Sequence, residues 1–356
     1  MLRSVDLMLF LPAAFLVALG GVILSSVSPS SFPQQFVFIA LATLSFFVVS
    51  NINVRVLKAI SPGLYVVSII LLLATVLFGA FIRGAARWIE IGPIVFQPSE
   101  VIKPLLLLFF THLISAQTGS KRFLTTILAF VPAFVLIFIQ PDLGSAIVLA
   151  SGTFGILFFG GVPIVWFVSS LLLFIVSLPI LWRLLADYQK QRIYTFLSPF
   201  SDPFGAGYNS IQAMIAIGSG GFWGRGLGQG TQSQLAFLPE RHTDFVFAAL
   251  SEELGFLAGA GAIFAFAIIL ARMIVILKKT DDVFSQALLG GIFFVFFTHI
   301  VVNIGMNLGV LPVTGIPLPF VSSGGSALIS MSAMLGLASH VSSTLKIRSN
   351  KDIMLL

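Results

Sequence analysis

The sequence predicts an all-α polytopic membrane protein with about ten transmembrane helices and a long extracytoplasmic loop between helices 7 and 8. Three observations predict this fold class. Of the 356 residues, 58% are hydrophobic and only 9% are charged, whereas soluble domains carry about 25% charged residues. The mean hydropathy is +1.07. Apolar runs of about 20 residues, which is the length that crosses a hydrocarbon core, recur about ten times.

The predicted spans share that length and a scarcity of charge, and they lie near 6–27, 34–50, 63–82, 101–117, 123–139, 143–160, 162–183, 245–277, 283–309 and 318–342. Turn signals at 140–142 (QPD) and 160–163 (GGVP) separate the fifth, sixth and seventh spans, so these three should form tight antiparallel hairpins. Asp6 opens the first run and no A-x-A cleavage site follows it, so we expect a retained helix and not a signal peptide.

No internal repeat and no low-complexity tract interrupts the chain, so we predict a single integral membrane domain over residues 1–356, with its extracytoplasmic loop at about 184–244. Eleven of the 19 Lys and Arg residues fall on one side of the predicted spans. The positive-inside rule therefore places both termini in the cytoplasm. The basic residues are scattered in short loops, which favours contact with anionic lipid over nucleic acid. The chain has no cysteine, which excludes disulfides and thiolate metal sites.

Three outward connections have unusual compositions. The loop 83–100 mixes charged and apolar residues, which suits a position at the membrane interface. The glycine-rich stretch 215–232 exposes consecutive backbone amides, which can cradle an anion. The stretch 307–326 is uncharged and rich in helix breakers, and an irregular backbone at this depth survives only when it is enclosed by protein or lines a cavity.

The strongest candidate site is LPERHTDFVFAALSEELG at 238–255. Thr243 or Asp244 could simply cap the eighth span. A cap needs only one acceptor, however, and Glu240, Arg241 and His242 crowd the same turn. The alternative is a polar site in which Asp244, close to water and beside cations, acts as a base on a substrate hydroxyl.

Two acids, Glu252 and Glu253, lie inside the same span, where an ionised group is costly. At about 100° per residue, Asp244 and Ser251 fall on one stripe of the helix, and Glu252 lies within about 80° of it. These acids either pair internally or face a cavity, and the sequence leaves both interpretations open.

Two further clusters have alternative interpretations. Glu100 and Lys103 occupy positions i and i+3 of a first turn, and they form either a structural ion pair or a polar wall of the cavity that holds Asp244. Arg192 either contacts lipid phosphate, as interfacial arginines do, or grips a diphosphate. Its stretch also contains Asp202, Tyr208 and Gln212.

Other polar residues have simpler explanations. Asp142 should cap the sixth span, and His112 and His299 resemble hydrogen-bonded helix residues more than metal ligands. No H-E-x-x-H, G-x-S-x-G or P-loop motif occurs, which disfavours a metalloprotease, a serine hydrolase and a nucleotide-driven pump.

Five stretches together resemble the SEDS family of RodA, FtsW and SpoVE type over nearly the whole chain. They are RWIEIGPIVFQPSE, QPDLGSA, RIYTFLSPFSDPFGAGY, IAIGSGGFWGRGLGQGTQSQLAFLPERHTDFVFAALSEELG and NLGVLPVTGIPLPFVSSGGS. ERHTDFVF and LPVTGIPLPF are more similar to the RodA elongation branch than to the FtsW division branch. Ser323 and Asn209 depart from the usual pattern, which bears only on loop contacts.

The resemblance implies a peptidoglycan glycosyltransferase that polymerises lipid II at the outer face of the bacterial cytoplasmic membrane, together with a class B penicillin-binding protein and the elongation machinery. It implies Asp244 as the essential aspartate. We predict this residue as the general base, and the predicted substrate-binding residues are Glu100, Lys103, Arg192, Glu240, Arg241, His242, Ser251 and Glu252. A divalent cation, Mg²⁺ or Mn²⁺, could assist at the diphosphate, although no motif demands one. The rival functions are a lipid II flippase and a structural scaffold for the penicillin-binding protein.

Overall fold

The computed structural model describes residues 5–82, 85–91, 94–185, 187–205 and 207–354, and most of them are helical. The helices form a bundle of apolar segments with mostly short connections. They are α1 (Leu7–Val27), α2 (Phe32–Asn51), α3 (Val54–Phe78), α4 (Pro98–Val101), α5 (Lys103–Ala116), α6 (Lys121–Ile139), α7 (Leu143–Phe159), α8 (Ile164–Leu184), α9 (Asp187–Leu197), α10 (Tyr208–Gly220), α11 (Thr231–Gln234), α12 (Val246–Lys278), α13 (Val283–Asn307) and α14 (Gly325–Met354).

The predicted fold class is confirmed. Within the described residues, eight helical segments are long and apolar enough to cross a bilayer, and α4 with α5 counts as one of them. Two shorter apolar helices, α7 and the first part of α8, complete the expected set. Three boundaries differ from the prediction by more than a few residues. Helix α3 begins at Val54, where the Asn53 side chain accepts a hydrogen bond from Arg55 N. Residues 318–324 are not helical, and α14 continues to Met354, beyond the predicted end at 342.

A small antiparallel sheet, which the sequence analysis did not predict, occupies the first outward loop. Its strands follow the order β1 (Ala80–Ile82), β2 (Ala85–Ile91) and β3 (Ile94–Phe96). In β2, Ile89 pairs with Phe96 and Glu90 pairs with Val95. The aromatic and β-branched residues of RWIEI favour a strand, but the run is too short to outweigh the composition of the loop.

Helices α4–α5, α13 and α14 bury most of their residues, whereas α2 and α6 bury few. Helix α7 crosses α13 closely, because a Cβ on Gly155 would stand 2.3 Å from Gly290 O. Such glycine contacts let two membrane helices approach backbone to backbone. The most enclosed part of the bundle therefore includes α4, α5, α13 and α14, and α13 and α14 adjoin the irregular segment 308–324.

Helix α12 is broken at Gly255, whose φ of 76° is favourable only for glycine. The glycine-rich loop that follows α10 fills the break. Phe256 N donates to Gly221 O at 2.9 Å, and Gly226 N donates to Glu253 O at 3.0 Å. The break therefore joins this loop to the outer end of α12.

Candidate active site

The chain between α13 and α14 runs irregularly through residues 308–324, and neighbouring side chains satisfy its backbone. Asn303 Nδ2 donates to Ile316 O at 2.7 Å, and the Ser322 hydroxyl accepts from Leu318 N at 2.9 Å. Ile316 and Leu318 are buried. This enclosure is what an irregular backbone requires at membrane depth, in agreement with the sequence analysis.

Asp244 lies just before α12, at the end of that helix that the sequence predicts to face outward, and it is partly exposed. Two amides from α13 hold its backbone, since Asn303 Nδ2 and Asn307 Nδ2 donate to Asp244 O at 2.9 and 3.1 Å. Its carboxylate faces Gly315, where an added Cβ would stand 3.5 Å from Asp244 Oδ2. The carboxylate therefore lies at an accessible edge of the 308–324 segment.

Capping of α12 does not explain the polar cluster around Asp244. Phe245 occupies the N-cap position, and its side chain makes no cap hydrogen bond. Ala248 N instead donates to Asn307 Oδ1 at 3.1 Å. The Thr243 hydroxyl, which was a possible cap, donates to Glu240 Oε2 at 2.8 Å.

Backbone contacts fix the turn that precedes α12. Glu240 adopts a φ of 51°, and Ser323 N donates to His242 O at 3.0 Å. Arg241 Nε donates to Val27 O, at the end of α1, at 3.1 Å. Among the described residues no carboxylate forms an ion pair with Arg241. A half-buried guanidinium without a carboxylate partner therefore lies three residues before the candidate base.

A second polar cluster lies deeper and joins three elements. Lys103 Nζ donates to Glu100 Oε1 at 2.6 Å and lies 3.3 Å from His299 Nε2. His299 Nδ1 lies 2.9 Å from Pro317 O. A carbonyl only accepts, so we assign the proton to Nδ1, and Nε2 then accepts from the Lys103 ammonium.

Asp142 begins α7 and caps it, as the sequence predicts, because its Oδ1 accepts from Ser145 N at 3.1 Å. Its other oxygen accepts from Gln97 Nε2 at 2.7 Å and from the Ser99 hydroxyl at 2.9 Å. Arg87 Nη1 lies 3.6 Å from Asp142 Oδ1. Asp142 therefore ties the outward loop 83–100 to the bundle.

Residues 314–317 contact both carboxylate clusters. Gly315 faces Asp244, and Pro317 O faces His299, which contacts Lys103. Lys103 is only 1% exposed. The predicted role of the Glu100–Lys103 pair as a wall of the Asp244 cavity therefore requires a rearrangement that exposes Lys103, and it stays a prediction.

Glu252 and Glu253 are fully buried, and their contacts are internal. Glu252 Oε1 accepts from Gln232 N at 2.8 Å, and Oε2 accepts from Ser233 N at 2.9 Å. Glu253 Oε1 accepts from Gln234 Nε2 at 2.7 Å. These hydrogen bonds explain why two acids can lie inside a span, because both carboxylates are paired within the protein. The predicted contact of Glu252 with substrate stays a prediction.

The amides of the glycine-rich loop do surround anionic groups, but these anions belong to the protein itself. Gly228 N donates to Glu253 Oε2 at 3.2 Å, in addition to the amides that bind Glu252. Ser251, the other predicted member of this stripe, is also buried, and a Cβ on Gly220 would lie 1.9 Å from Ser251 O. Helix α10 therefore packs directly on this part of α12.

Arg192 lines a pocket of about 290 Å³ on the outer side of the bundle, between α9, α10 and the 308–324 segment. Asn209, Ser210 and Val313 also line it. Val313 packs against the small apolar cluster that contains Phe245, the residue after Asp244. The pocket therefore borders an apolar cluster that lies beside the candidate base.

These features define a polytopic membrane protein with a carboxylate, a guanidinium and a polar pocket at the outer end of its bundle. The family of FtsW, RodA and SpoVE cell cycle proteins matches residues 3–347. The chain belongs to this family.

Two relatives support this assignment over most of the chain. The peptidoglycan glycosyltransferase MrdB of Escherichia coli K12 is 41% identical over 85% of this chain and 83% of its own. The probable peptidoglycan glycosyltransferase FtsW of Coxiella burnetii is 32% identical over 94% of this chain and 95% of its own. The greater identity to MrdB agrees with the predicted elongation branch.

Two solved structures share the fold. A chain from a peptidoglycan synthase complex, described for its coordination of polymerization and crosslinking, superposes with a TM-score of 0.81 at 31% identity, covering 96% of this chain and 98% of its own. The rod shape determining protein RodA of Thermus thermophilus superposes with a TM-score of 0.71 at 30% identity, covering 95% of this chain and 96% of its own.

Four side chains that build the site are not among the residues that the sequence predicted for it. His299, Asn303, Asn307 and Ser322 hold the 308–324 segment and the backbone beside Asp244. A usable signal was present, because polar side chains in the middle of an apolar span usually bond to a neighbouring element.

Proposed function

We propose that this chain is a peptidoglycan glycosyltransferase that polymerises lipid II into glycan strands at the outer face of the cytoplasmic membrane during cell elongation. The names of its relatives support the activity. The position of Asp244 carries the proposal, because a partly exposed carboxylate lies at the outer end of the bundle, where a lipid-linked sugar presents its polar head.

In the proposed reaction, the sugar 4-hydroxyl of the acceptor attacks the anomeric carbon of the donor, and undecaprenyl diphosphate leaves with inversion at that carbon. Asp244 takes the hydroxyl proton as the new bond forms. Gly315 adds no side chain beside the carboxylate, which leaves space next to Asp244 Oδ2. Asn303 and Asn307 position the backbone of Asp244.

Negative charge that develops on the leaving diphosphate needs cationic partners. The Arg241 guanidinium has no carboxylate partner among the described residues, and Arg192 lines the adjacent pocket. A guanidinium suits such an anion because its N–H groups form paired hydrogen bonds with phosphate oxygens. Lys103 is buried against Glu100 and His299 and would contribute only after a rearrangement that exposes it.

A divalent cation would share this neutralisation of charge. Over the described ranges, no cluster of three or more His, Asp and Glu side chains could hold a metal ion. The part of the chain that the structure describes therefore offers no complete ligand set of its own, and we assign the chemistry proposed above to Asp244 and the two arginines.

We propose a class B penicillin-binding protein as the partner, together with the elongation machinery. The support is the superposed chain, which comes from a complex that polymerises and crosslinks. We also propose that both termini lie in the cytoplasm, because the positively charged connections concentrate on that side.

Polymerisation and lipid transport give different products. The purified protein and its partner are incubated with labelled lipid II, and the products are resolved on a gel. We expect ladders of glycan chains. If no polymer forms, while lipid II crosses liposomes that contain the protein, the chain is a flippase and the proposal is wrong.

A further inference from the structure

An apolar groove of about 450 Å³ runs between α1, α2 and α14. Ligand pockets in proteins usually measure about 300–1,000 Å³. Small residues line its α1 side and larger apolar residues line its α2 side, including Ala14, Ala18, Gly21, Phe36 and Ile39. Ala14, Ala18 and Phe36 are exposed, so the groove opens toward lipid.

The groove is long and is oriented along the helices. Its inner end is closed by Phe10 and Phe46, whose ring centres lie 5.3 Å apart. Its outer end lies at Ser25 and Phe32. At 1.5 Å per residue, α1 rises about 22 Å from Phe10 to Ser25, which is most of a hydrocarbon core of about 30 Å. This shape suits one extended apolar chain.

One polar side chain near the outer end lacks a protein partner. Gln35, in the first turn of α2, is only 6% exposed and lines the groove. Across the described residues its side-chain amide makes no hydrogen bond. The polar atoms of this amide keep accessible surface, so a polar group of a ligand in the groove can form hydrogen bonds with them. The ligand should therefore be an amphiphile, with its polar end outward.

The groove leads to the candidate active site. Phe320 lines it, and two residues later the Ser322 hydroxyl donates to Thr243 O, next to Asp244, at 2.7 Å. Arg241 Nε contacts Val27 O, at the outer end of α1, at 3.1 Å. A diphosphate at the mouth of the groove would therefore meet a cation before its sugar reaches the candidate base.

We propose that the groove between α1, α2 and α14 binds the polyprenyl chain of the lipid-linked sugar substrate, with the diphosphate directed toward Arg241. This inference rests on the proposed function. The chain fills the apolar length of the groove, and Gln35 faces the polar end of the tail. Burial of the polyprenyl chain adds binding energy that is the same for the bound substrate and for the transition state.

The kinetic test uses substitutions whose side chains fill the groove and leave the packing between helices unchanged. At Gly21, no other heavy atom of the described chain lies within 4 Å of an added Cβ, apart from its own helix and chain neighbours. A Gly21→Leu side chain therefore extends into the groove, and Ala18→Leu is a second filling variant. Gly63→Leu is the matched control, because Gly63 is exposed on α3 and has equally open surroundings.

We measure polymerisation by the complex with full-length lipid II and with an analogue that carries a tail of only a few isoprene units. Filling the groove should raise KM for full-length lipid II about ten-fold and leave kcat nearly unchanged, because uniform binding is lost. Rates with the short-tailed analogue, and all rates of Gly63→Leu, should not change. An unchanged KM in both filling variants means that bilayer lipid fills the groove, and it overturns the inference.

A crosslinking experiment separates this inference from the proposed function. Lipid II with a photoreactive group on its tail is irradiated with the unmodified complex, and the adducts are mapped by mass spectrometry. We expect adducts on the groove faces of α1 and α2, and fewer of them in Gly21→Leu. Adducts spread evenly over the lipid-facing helices contradict the inference. Adducts in the groove without polymer formation support the binding site and contradict the glycosyltransferase.

Discussion

At the residue scale, His299 links the buried ion pair to the loop above it. Its Nε2 lies 3.3 Å from Lys103 Nζ, and its Nδ1 lies 2.9 Å from Pro317 O. Both contacts need an imidazole with a proton on Nδ1 alone. His299 is fully buried, so water cannot replace either partner.

We therefore expect His299→Leu to lower the free energy of unfolding by about 1–3 kcal/mol. Pro317 O loses its hydrogen bond from the imidazole, and Lys103 Nζ keeps only its contact with Glu100. Thermal unfolding of the purified protein measures the change. His112→Leu is the control, because His112 Nδ1 is buried and has no hydrogen-bond partner among the described residues. Equal melting temperatures for the two variants contradict this role of His299.

The contacts that the sequence predicted at this scale are local. Asp142 caps α7, and Glu100 pairs with Lys103, because both patterns span only three positions. The amides of Asn303 and Asn307, by contrast, reach Asp244 O across about 60 positions of sequence. No periodicity encodes such a contact, since it depends on how α12 and α13 pack.

At the scale of elements, the glycine-rich loop and the broken helix α12 form one unit. Gly255 opens the helix, and Glu252 and Glu253 bind the loop through its amides. Charge-assisted hydrogen bonds of this kind are about twice as strong as neutral ones. We infer that the two buried acids mainly hold the loop in place.

Glu252→Gln should weaken the bonds from Gln232 N and from Ser233. Hydrogen exchange over residues 228–235 should accelerate about ten-fold or more, which corresponds to about 1.4 kcal/mol of lost protection. Glu90→Gln is the control, because Glu90 is exposed on β2. Unchanged exchange in Glu252→Gln, together with a raised KM for lipid II, points instead to the substrate contact that the sequence suggested.

Hydropathy located the ten spans because the bilayer imposes their length and composition directly. It extended the last span over residues 318–324, since this stretch is apolar, although Ser322 and Asn303 hold it in an irregular path. The β-sheet of the first outward loop and the break at Gly255 were also not predicted. Each depends on contacts between segments that are distant in sequence, and a hydropathy average over neighbouring residues carries no information about such contacts.

At the scale of the whole molecule, the site and the groove share one end of the bundle. Asp244, the pocket at Arg192 and the mouth of the groove all lie where the outward connections meet the helices. A polar reaction can proceed there while the apolar tail stays between helices. A site and a groove at the same end of one bundle are consistent with the predicted single domain over residues 1–356, which remains a prediction.

The predicted orientation can be measured cleanly because the chain has no native cysteine. We expect Ser201→Cys, in the long outward loop, to react in intact cells with a maleimide that cannot cross the membrane. Thr118→Cys, between α5 and α6, should react only after permeabilisation. Both positions are exposed, so access is decided by membrane sidedness. The reverse labelling pattern would place the termini outside.

The central claim is that the Asp244 carboxylate acts as the base of glycosyl transfer, and its direct measurement is kcat for lipid II polymerisation by Asp244→Asn in complex with its partner. We predict a loss of about 10²–10⁴-fold, which is the usual contribution of a general base. Asp281→Asn, at an exposed aspartate on the opposite side, should keep the full rate. A correctly folded Asp244→Asn protein that polymerises at the unmodified rate would contradict the account.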